Sequence, residues 1–360
     1  MTGASSTSRY GEPAPWFRGT CDEVADVTFD GMAGRWICLM FFGSLAAEQT
    51  AAAYAEVLAS SRLFDGESAV FVGVSVDPRD RTQGRLSPSH AMRHFDDYGR
   101  AISRHYGIQL SDSAYRPEVL LLDPLLRVVE RGPIEATAAV LRALDMRLAA
   151  AAGEEAGHAP VLTVPRIFEP ELCRVLIDHY DKVGGTPTGF MQQRGDKTVV
   201  AVDPSFKRRA DVYLAEDQLK TAVLSRISHR LVPVIERAFG WRATRVERYM
   251  IACYSSEDQG FFRAHRDNTT LGTAHRRLAV TINLNRGDYE GGELCFPEFG
   301  SNLFSPPTGG ATVFGCGLLH EVRPVTRGRR YAYLPFLYDE AGATLREQNA
   351  ATLKPERRED

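Results

Sequence analysis

The stretch from Cys253 to Tyr338 constrains this chain more than any other. It carries Ala264-His265-Arg266-Asp267-Asn268 and, further on, Leu319-His320-Glu321-Val322-Arg323-Pro324 followed by Arg329-Arg330-Tyr331. Residues two apart on a strand project to one face, so His265 and Asp267 can hold one cation between an imidazole and a carboxylate. His320, from a distant strand, is the candidate third ligand. Two histidines and one carboxylate on one side of a metal leave three octahedral positions open, which suits a catalytic ferrous ion.

A His-x-Asp pair alone is a common surface accident, and the bland alternative is an ordinary sandwich with incidental histidines. The surroundings argue against that alternative. Val246–Tyr254 reads as a strand, as do Arg277–Asn285, Glu293–Phe296, Ala311–Phe314 and Arg330–Tyr338. Gly291-Gly292 and Gly309-Gly310 turn the chain between them. Short strands separated by Gly, Pro and Asn turns mark an antiparallel sandwich or jelly roll, which has room for a metal between its sheets.

With these pieces in place, the second half of the chain resembles the prolyl 4-hydroxylase-like branch of the 2-oxoglutarate, Fe(II)-dependent oxygenases. The matching residues are Ala252-Cys253-Tyr254, His265-x-Asp267-Asn268, Glu290-Gly291-Gly292-Glu293-Leu294 and His320-Glu321-Val322-x-Pro324-Val325-Thr326-x-Gly328-x-Arg330. The resemblance implies a double-stranded β-helix with Fe(II) on His265, Asp267 and His320. It implies 2-oxoglutarate as cosubstrate, dioxygen as oxidant, and ascorbate as reductant. It places Arg330 on the distal carboxylate of 2-oxoglutarate, where a planar guanidinium can make two hydrogen bonds. Arg329 competes for that role, and Arg330 is preferred because it directly precedes Tyr331-Ala332 at the start of the last strand. Tyr254 is expected to line the cosubstrate pocket, and Asn283 stands where some relatives have a tyrosine. The implied activity is hydroxylation of a C–H bond on a peptidyl proline, another protein side chain or a small molecule, with release of succinate and carbon dioxide. The rival readings are a non-enzymatic jelly-roll binding protein and, through the first half of the chain, a thiol peroxidase.

The 360 residues suggest two domains. Expected boundaries are 1–148 for the first, 149–160 for a small, polar linker, 161–345 for the second and 346–360 for a frayed charged tail. In the first, Trp36–Phe42, Ala69–Val76 and Pro117–Asp123 read as buried strands, with Arg127–Glu130 pairing after a turn. Ala46–Ser60 and Ala136–Leu148 read as helices, and helical sequence returns around His90–Tyr106. Strands alternating with helices argue an α/β sheet. This half is similar to a thioredoxin-fold domain of the peroxiredoxin type, on Ala14-Pro15, Phe29-Asp30-Gly31, Gly34-Arg35, Val74-Ser75-Val76-Asp77 and Leu122-Asp123. That family needs a cysteine thiolate after the first core strand. Here the segment reads Gly43-Ser44-Leu45-Ala46-Ala47-Glu48-Gln49-Thr50. The fold is expected to remain while the peroxidase chemistry is lost, leaving a docking or supporting role.

The second half opens with a short strand at Pro160–Val164 and helices at Glu169–Tyr180 and Leu219–Phe239. A net charge of −3 advertises neither nucleic acid nor an anionic membrane, and the longest apolar runs are far shorter than a membrane span. Six scattered cysteines without a Cys-x-x-Cys read as reduced thiols in a cytoplasm. Cys38, Cys253, Cys295 and Cys316 are expected in the core. His90 and His94 read as a solvated helix face, and His275 as exposed. The basic cluster Phe206–Asp211 reads as a surface turn in preference to a lid.

Overall fold

The computed structural model describes residues 9–111, 114–150 and 157–353. The chain divides into two compact units, 1–157 with 297–300, and 158–296 with 301–360. The linker core 151–156 and the tail beyond 353 lie outside the described residues.

The first unit is built on a seven-stranded sheet. Trp36–Gly43 lies at its heart, parallel to Ala69–Ser75 and antiparallel to Glu118–Leu122. These strands are nearly unbroken apolar runs because both sheet faces are covered. Cys38, Met40, Phe42, Phe71 and Leu121 face the helices Glu48–Ala59 and Thr137–Ala150, which bury Tyr54, Val57, Val140, Leu141 and Leu144. On the other face Phe41 meets Tyr106 at 4.8 Å. The expected helix over His90–Tyr106 is a strand, Met92–Asp96, followed by a short helix, Ala101–His105. Ala91, Met92, Phe95 and Ile102 mimic a helical period, but pairing of 92–96 with Ala69–Ser75 and Arg18–Cys21 prevails. His94 is consequently not on a solvated helix face: it is buried, 2.9 Å from the Tyr54 hydroxyl, while His90 is exposed. The hairpin Arg18–Cys21 to Val24–Thr28 turns on Asp22 and Glu23, both at positive φ, without the glycine that would have announced it.

The second unit is antiparallel throughout its two main sheets, of jelly-roll type. The larger has the order Leu162–Val164, Ala311–Gly315, Leu278–Asn283, Arg329–Tyr333, Met250–Ser255, Ala210–Tyr213, Thr186–Pro187. The smaller has the order Lys207–Arg208, Phe261–His265, His320–Val322, Leu294–Cys295, Leu303–Phe304. Strand alternation sorts the side chains of the larger sheet. Ile251, Cys253, Val280, Ile282, Tyr331 and Tyr333 join a core with the helices Pro170–Val183 and Asp217–Phe239. Tyr254, Thr281 and Arg330 point the other way, into a cavity shared with the smaller sheet. The long helix contains a π turn at Ile227–Leu231, next to Pro233, which has no backbone N–H to donate. The expected fraying from 346 does not hold for the described part of the tail. The helix Glu340–Gln348 runs through it, the Asn349 side chain donates to the Leu271 carbonyl at 2.9 Å, and Leu353 bridges to Thr198.

Candidate metal centre

His265 ends the strand Phe261–His265, and His320 opens the strand His320–Val322 that pairs with it. The register between them shifts, with Phe262 opposite Val322 and His265 opposite His320, so one extra residue bulges out. A bulge of this kind re-aims a side chain, here bringing the two imidazoles to a centroid separation of 4.3 Å. Asp267 is not on the strand, as the two-residue spacing implied, but in the turn that follows it. Its backbone N–H donates to the Cys316 carbonyl at 2.9 Å, which swings the carboxylate back between the rings. Its oxygens lie 3.6 Å from His265 Nε2 and 3.4 Å from His320 Nε2. Ligand atoms from all three residues fall within 4.8 Å of one another.

The donor set fits a metal. His265 Nδ1 sits 2.7 Å from the Arg263 carbonyl and His320 Nδ1 3.0 Å from the Leu318 carbonyl. A carbonyl can only accept, so each Nδ1 carries the proton and each Nε2 presents a lone pair to the centre. Burial, with repulsion from His320, depresses the His265 pKa to about 3, which keeps it neutral and able to ligate. Burial works to raise the Asp267 pKa, but His320, His265 and Arg276 outweigh it and hold the carboxyl below its ordinary range. Phe262 stacks on His265 at 3.5 Å, and Phe314 stands edge-on to His320 at 4.6 Å.

Arg330 reaches the same cavity from the larger sheet. It is buried, its Nη2 donates to Asn283 Oδ1 at 3.3 Å, and its Nε has no partner. Among the described residues it has no carboxylate counter-ion. A buried guanidinium left on a neutral amide is costly on its own and is a ready receptor for a ligand carboxylate. Asn283 is held by donating to the Pro306 carbonyl at 2.8 Å. Tyr254 lies opposite Arg330 in the sheet register, with that guanidinium 5.3 Å above its ring. Arg329 projects outward to Glu257 at 3.3 Å and lies outside the cavity lining. Strand alternation thus turns Arg330 into the cavity and Arg329 away from it.

Two expectations fail here. His275 is not exposed: it is buried, with Nε2 2.5 Å from Glu247, which also takes Arg276 at 2.7 Å. The basic cluster 206–211 is not a solvated turn, because Ala210–Tyr213 pairs with Met250–Ser255 and draws it inward. Lys207, Arg209 and Asp211 are all buried. Arg209 donates to Asp211 at 2.8 Å and lines the cavity beside Tyr254. Sequence reasoning missed Arg209 and Arg248 as cavity residues; the alternation Arg209-x-Asp211 is the one signal that pointed to a shared face. The four cysteines expected in the core are buried there, and all six are free thiols.

The jelly roll thus presents two imidazoles and one carboxylate, a group that could hold a metal ion, on one face beside a buried arginine. Residues 249–338 match the model of the 2OG-Fe(II) oxygenase superfamily, so the second unit carries a 2OG-Fe(II) oxygenase domain. A PKHD-type hydroxylase of Verminephrobacter eiseniae is 35% identical over 96 residues, covering 24% of this chain and 40% of that protein. The chain spans less than half the length of the curated relatives it matches first. Among solved structures, a Pseudomonas putida prolyl-4-hydroxylase aligns with 16% identity and a TM-score of 0.38, over 53% of this chain and 96% of its own. A Plasmodium vivax 2-Cys peroxiredoxin aligns with 17% identity and a TM-score of 0.33, over 40% of this chain and 98% of its own.

Proposed function

We propose that this chain is an Fe(II)- and 2-oxoglutarate-dependent dioxygenase that hydroxylates a C–H bond of a peptidyl proline or another protein side chain, releasing succinate and carbon dioxide. The observation that carries the reading is the convergence of His265, Asp267 and His320 in one cavity with an arginine that lacks a counter-ion. The superfamily match over 249–338 and the hydroxylase relatives support the reaction type. When bound, the metal supplies dioxygen activation coupled to oxidation of 2-oxoglutarate.

The protein's residues do the rest. His265 and His320 are locked by backbone carbonyls with Nε2 facing inward, so no rearrangement is needed to ligate. Arg330 takes the distal carboxylate of 2-oxoglutarate, Asn283 orients the guanidinium, and Tyr254 walls the pocket. Phe262, Leu294, Phe314 and Val322 line the remaining surface and exclude water from the reacting centre. Ascorbate serves as the external reductant and the cytoplasm as the compartment. The test is to incubate the full chain, iron and 2-oxoglutarate with peptide and metabolite pools, and to look by mass spectrometry for products heavier by one oxygen. Loss of every such product in His265→Ala and Asp267→Ala supports the reading, and products that survive either substitution contradict it.

A further inference from the structure

Arg248 occupies a break in the larger sheet, between the strands Arg245–Glu247 and Met250–Ser255. Its φ is 68°, a left-handed conformation that costs a non-glycine residue free energy and recurs at functional sites. The break turns its side chain into the cavity that holds His265, Asp267 and His320.

The other cations near this cavity are accounted for. Arg209 has Asp211, Arg276 has Glu247, and Arg330 leans on Asn283 with its role given above. Arg248 has no carboxylate or carbonyl within hydrogen-bonding distance among the described residues. Its recorded contact is with the face of Phe336, 5.2 Å from the ring centroid, and Arg276 lies over the same ring at 4.0 Å. Burial first, then repulsion from Arg276 and Arg209, disfavours its charge. Arg248 is part-buried; the Phe336 face and the more distant Asp211 and Tyr213 favour its charge, but its guanidinium N–H groups find no acceptor among the described residues.

Arg248 and Arg330 enter the cavity from different positions along the larger sheet. In the strand Leu278–Asn283, Phe336 pairs with Ala279, whereas Ala332 pairs with Asn283, the residue Arg330 touches. Four residues of strand separate those positions, about 13 Å.

We propose that Arg248 is a second oxyanion receptor, which binds a carboxylate or phosphate on the molecule being oxidised, so that the substrate is acidic close to its reacting carbon. This inference rests on the oxygenase reading and specifies the substrate class of the same cavity.

The test uses the full chain loaded with Mn(II) and saturated with 2-oxoglutarate, probed separately with acetate and with inorganic phosphate. Nuclear relaxation of each probe by the bound Mn(II) reports an anion close to the metal. We expect enhanced relaxation of at least one probe in the wild type, at least a tenfold loss of its affinity in Arg248→Met, and retention in Arg245→Met, an exposed control. The probe that responds distinguishes a carboxylate from a phosphate. No enhancement, or equal enhancement in wild type and Arg248→Met, overturns the proposal. Mn(II) that binds and responds to 2-oxoglutarate in either case leaves the oxygenase reading standing. If Mn(II) does not bind, that reading falls, and probe-induced chemical shifts in the metal-free chain decide the anion site by the same comparison. Thermal melting supplies an independent readout. A fall of more than about 4 °C in Arg248→Met would mark a structural arginine and overturn the proposal, whereas an unchanged or higher melting temperature is expected.

Discussion

The two units differ in what surrounds the charges at one place in each. In the first, the segment after the central strand carries a serine, and carboxylates close around it. Ser44 Oγ donates to Asp77 at 2.8 Å, and Asp77 also pairs with Arg79. Asp80, fully buried, accepts from the Leu45 N–H at 3.1 Å, from Ser75 Oγ at 2.7 Å and from Arg85 at 3.0 Å. Both carboxylates have found partners. In the second unit, buried Arg330 and part-buried Arg248 line the cavity that also holds Asp267, and neither arginine has a carboxylate within hydrogen-bonding distance among the described residues. Charges satisfied within a fold stabilise it, while charges left open at a cavity cost stability and await a ligand.

Asp80→Ala should break the satisfied side of this comparison most severely. It strands Arg85 and the Leu45 N–H together, and a loss of about 3–5 kcal/mol is expected, measurable by denaturant unfolding of the full chain. A change below the scatter of surface substitutions would show that the polar cluster is not a structural keystone. Arg330→Ala should act on the open side. Its expected signature is a rise in the 2-oxoglutarate concentration needed for half-maximal turnover, by about 30–150-fold for one lost charge-assisted contact of roughly 2–3 kcal/mol. An unchanged requirement would return the role to Arg329.

Lys207 gives a smaller, pH-dependent effect. Burial, reinforced by Arg209, pulls its pKa down to about 6, and the amine donates to the Gly189 carbonyl at 2.6 Å and to Thr188 Oγ1 at 2.9 Å. The unfolded chain holds that proton up to its ordinary value near 10.5. Between those limits the unfolded state binds more protons, so stability should rise with pH, by about 1.4 kcal/mol per unit at most. This contribution is complete above the unfolded value and lost as pH falls through 6. Lys207→Met should flatten that slope in a series of melts between pH 6 and 9, and an unaltered slope would contradict the assignment. The smallest expected effect is a null. Ser44→Cys puts a thiol beside the Asp77 and Asp80 carboxylates, which disfavour a thiolate, so no thiol-dependent peroxide consumption should appear. Robust consumption would show that only the nucleophile had been missing. The native Cys21 and Cys38 are poor nucleophiles for a related reason, because burial pushes their pKa values up to about 11 and about 12.

The parts of this molecule that could be read from sequence are those whose meaning is local. His265, Asp267 and His320 stand out because ligand chemistry restricts residue type at each position, and Arg330 is marked by its place before Tyr331-Ala332. The alternating strands around them announced a jelly roll. What stayed hidden was set by pairing across long sequence distances. The segment 206–211 looks like a solvated turn until Asp211 is found opposite Ala252. His275 looks exposed until Glu247 arrives from another strand. Met92–Asp96 has a helix-like apolar rhythm that its neighbours in the sheet override. Arg248 gives no sequence signal at all, because its significance lies in the absence of a partner.

The proposed function requires that the His265–Asp267–His320 centre turn over 2-oxoglutarate. Its most direct test is succinate release by the full chain with and without Fe(II), in the wild type and in Asp267→Ala. Iron-dependent succinate is expected in the wild type, and none above background in Asp267→Ala at any iron concentration tried. Succinate formation that is indifferent to iron, or that survives loss of the carboxylate, would contradict it.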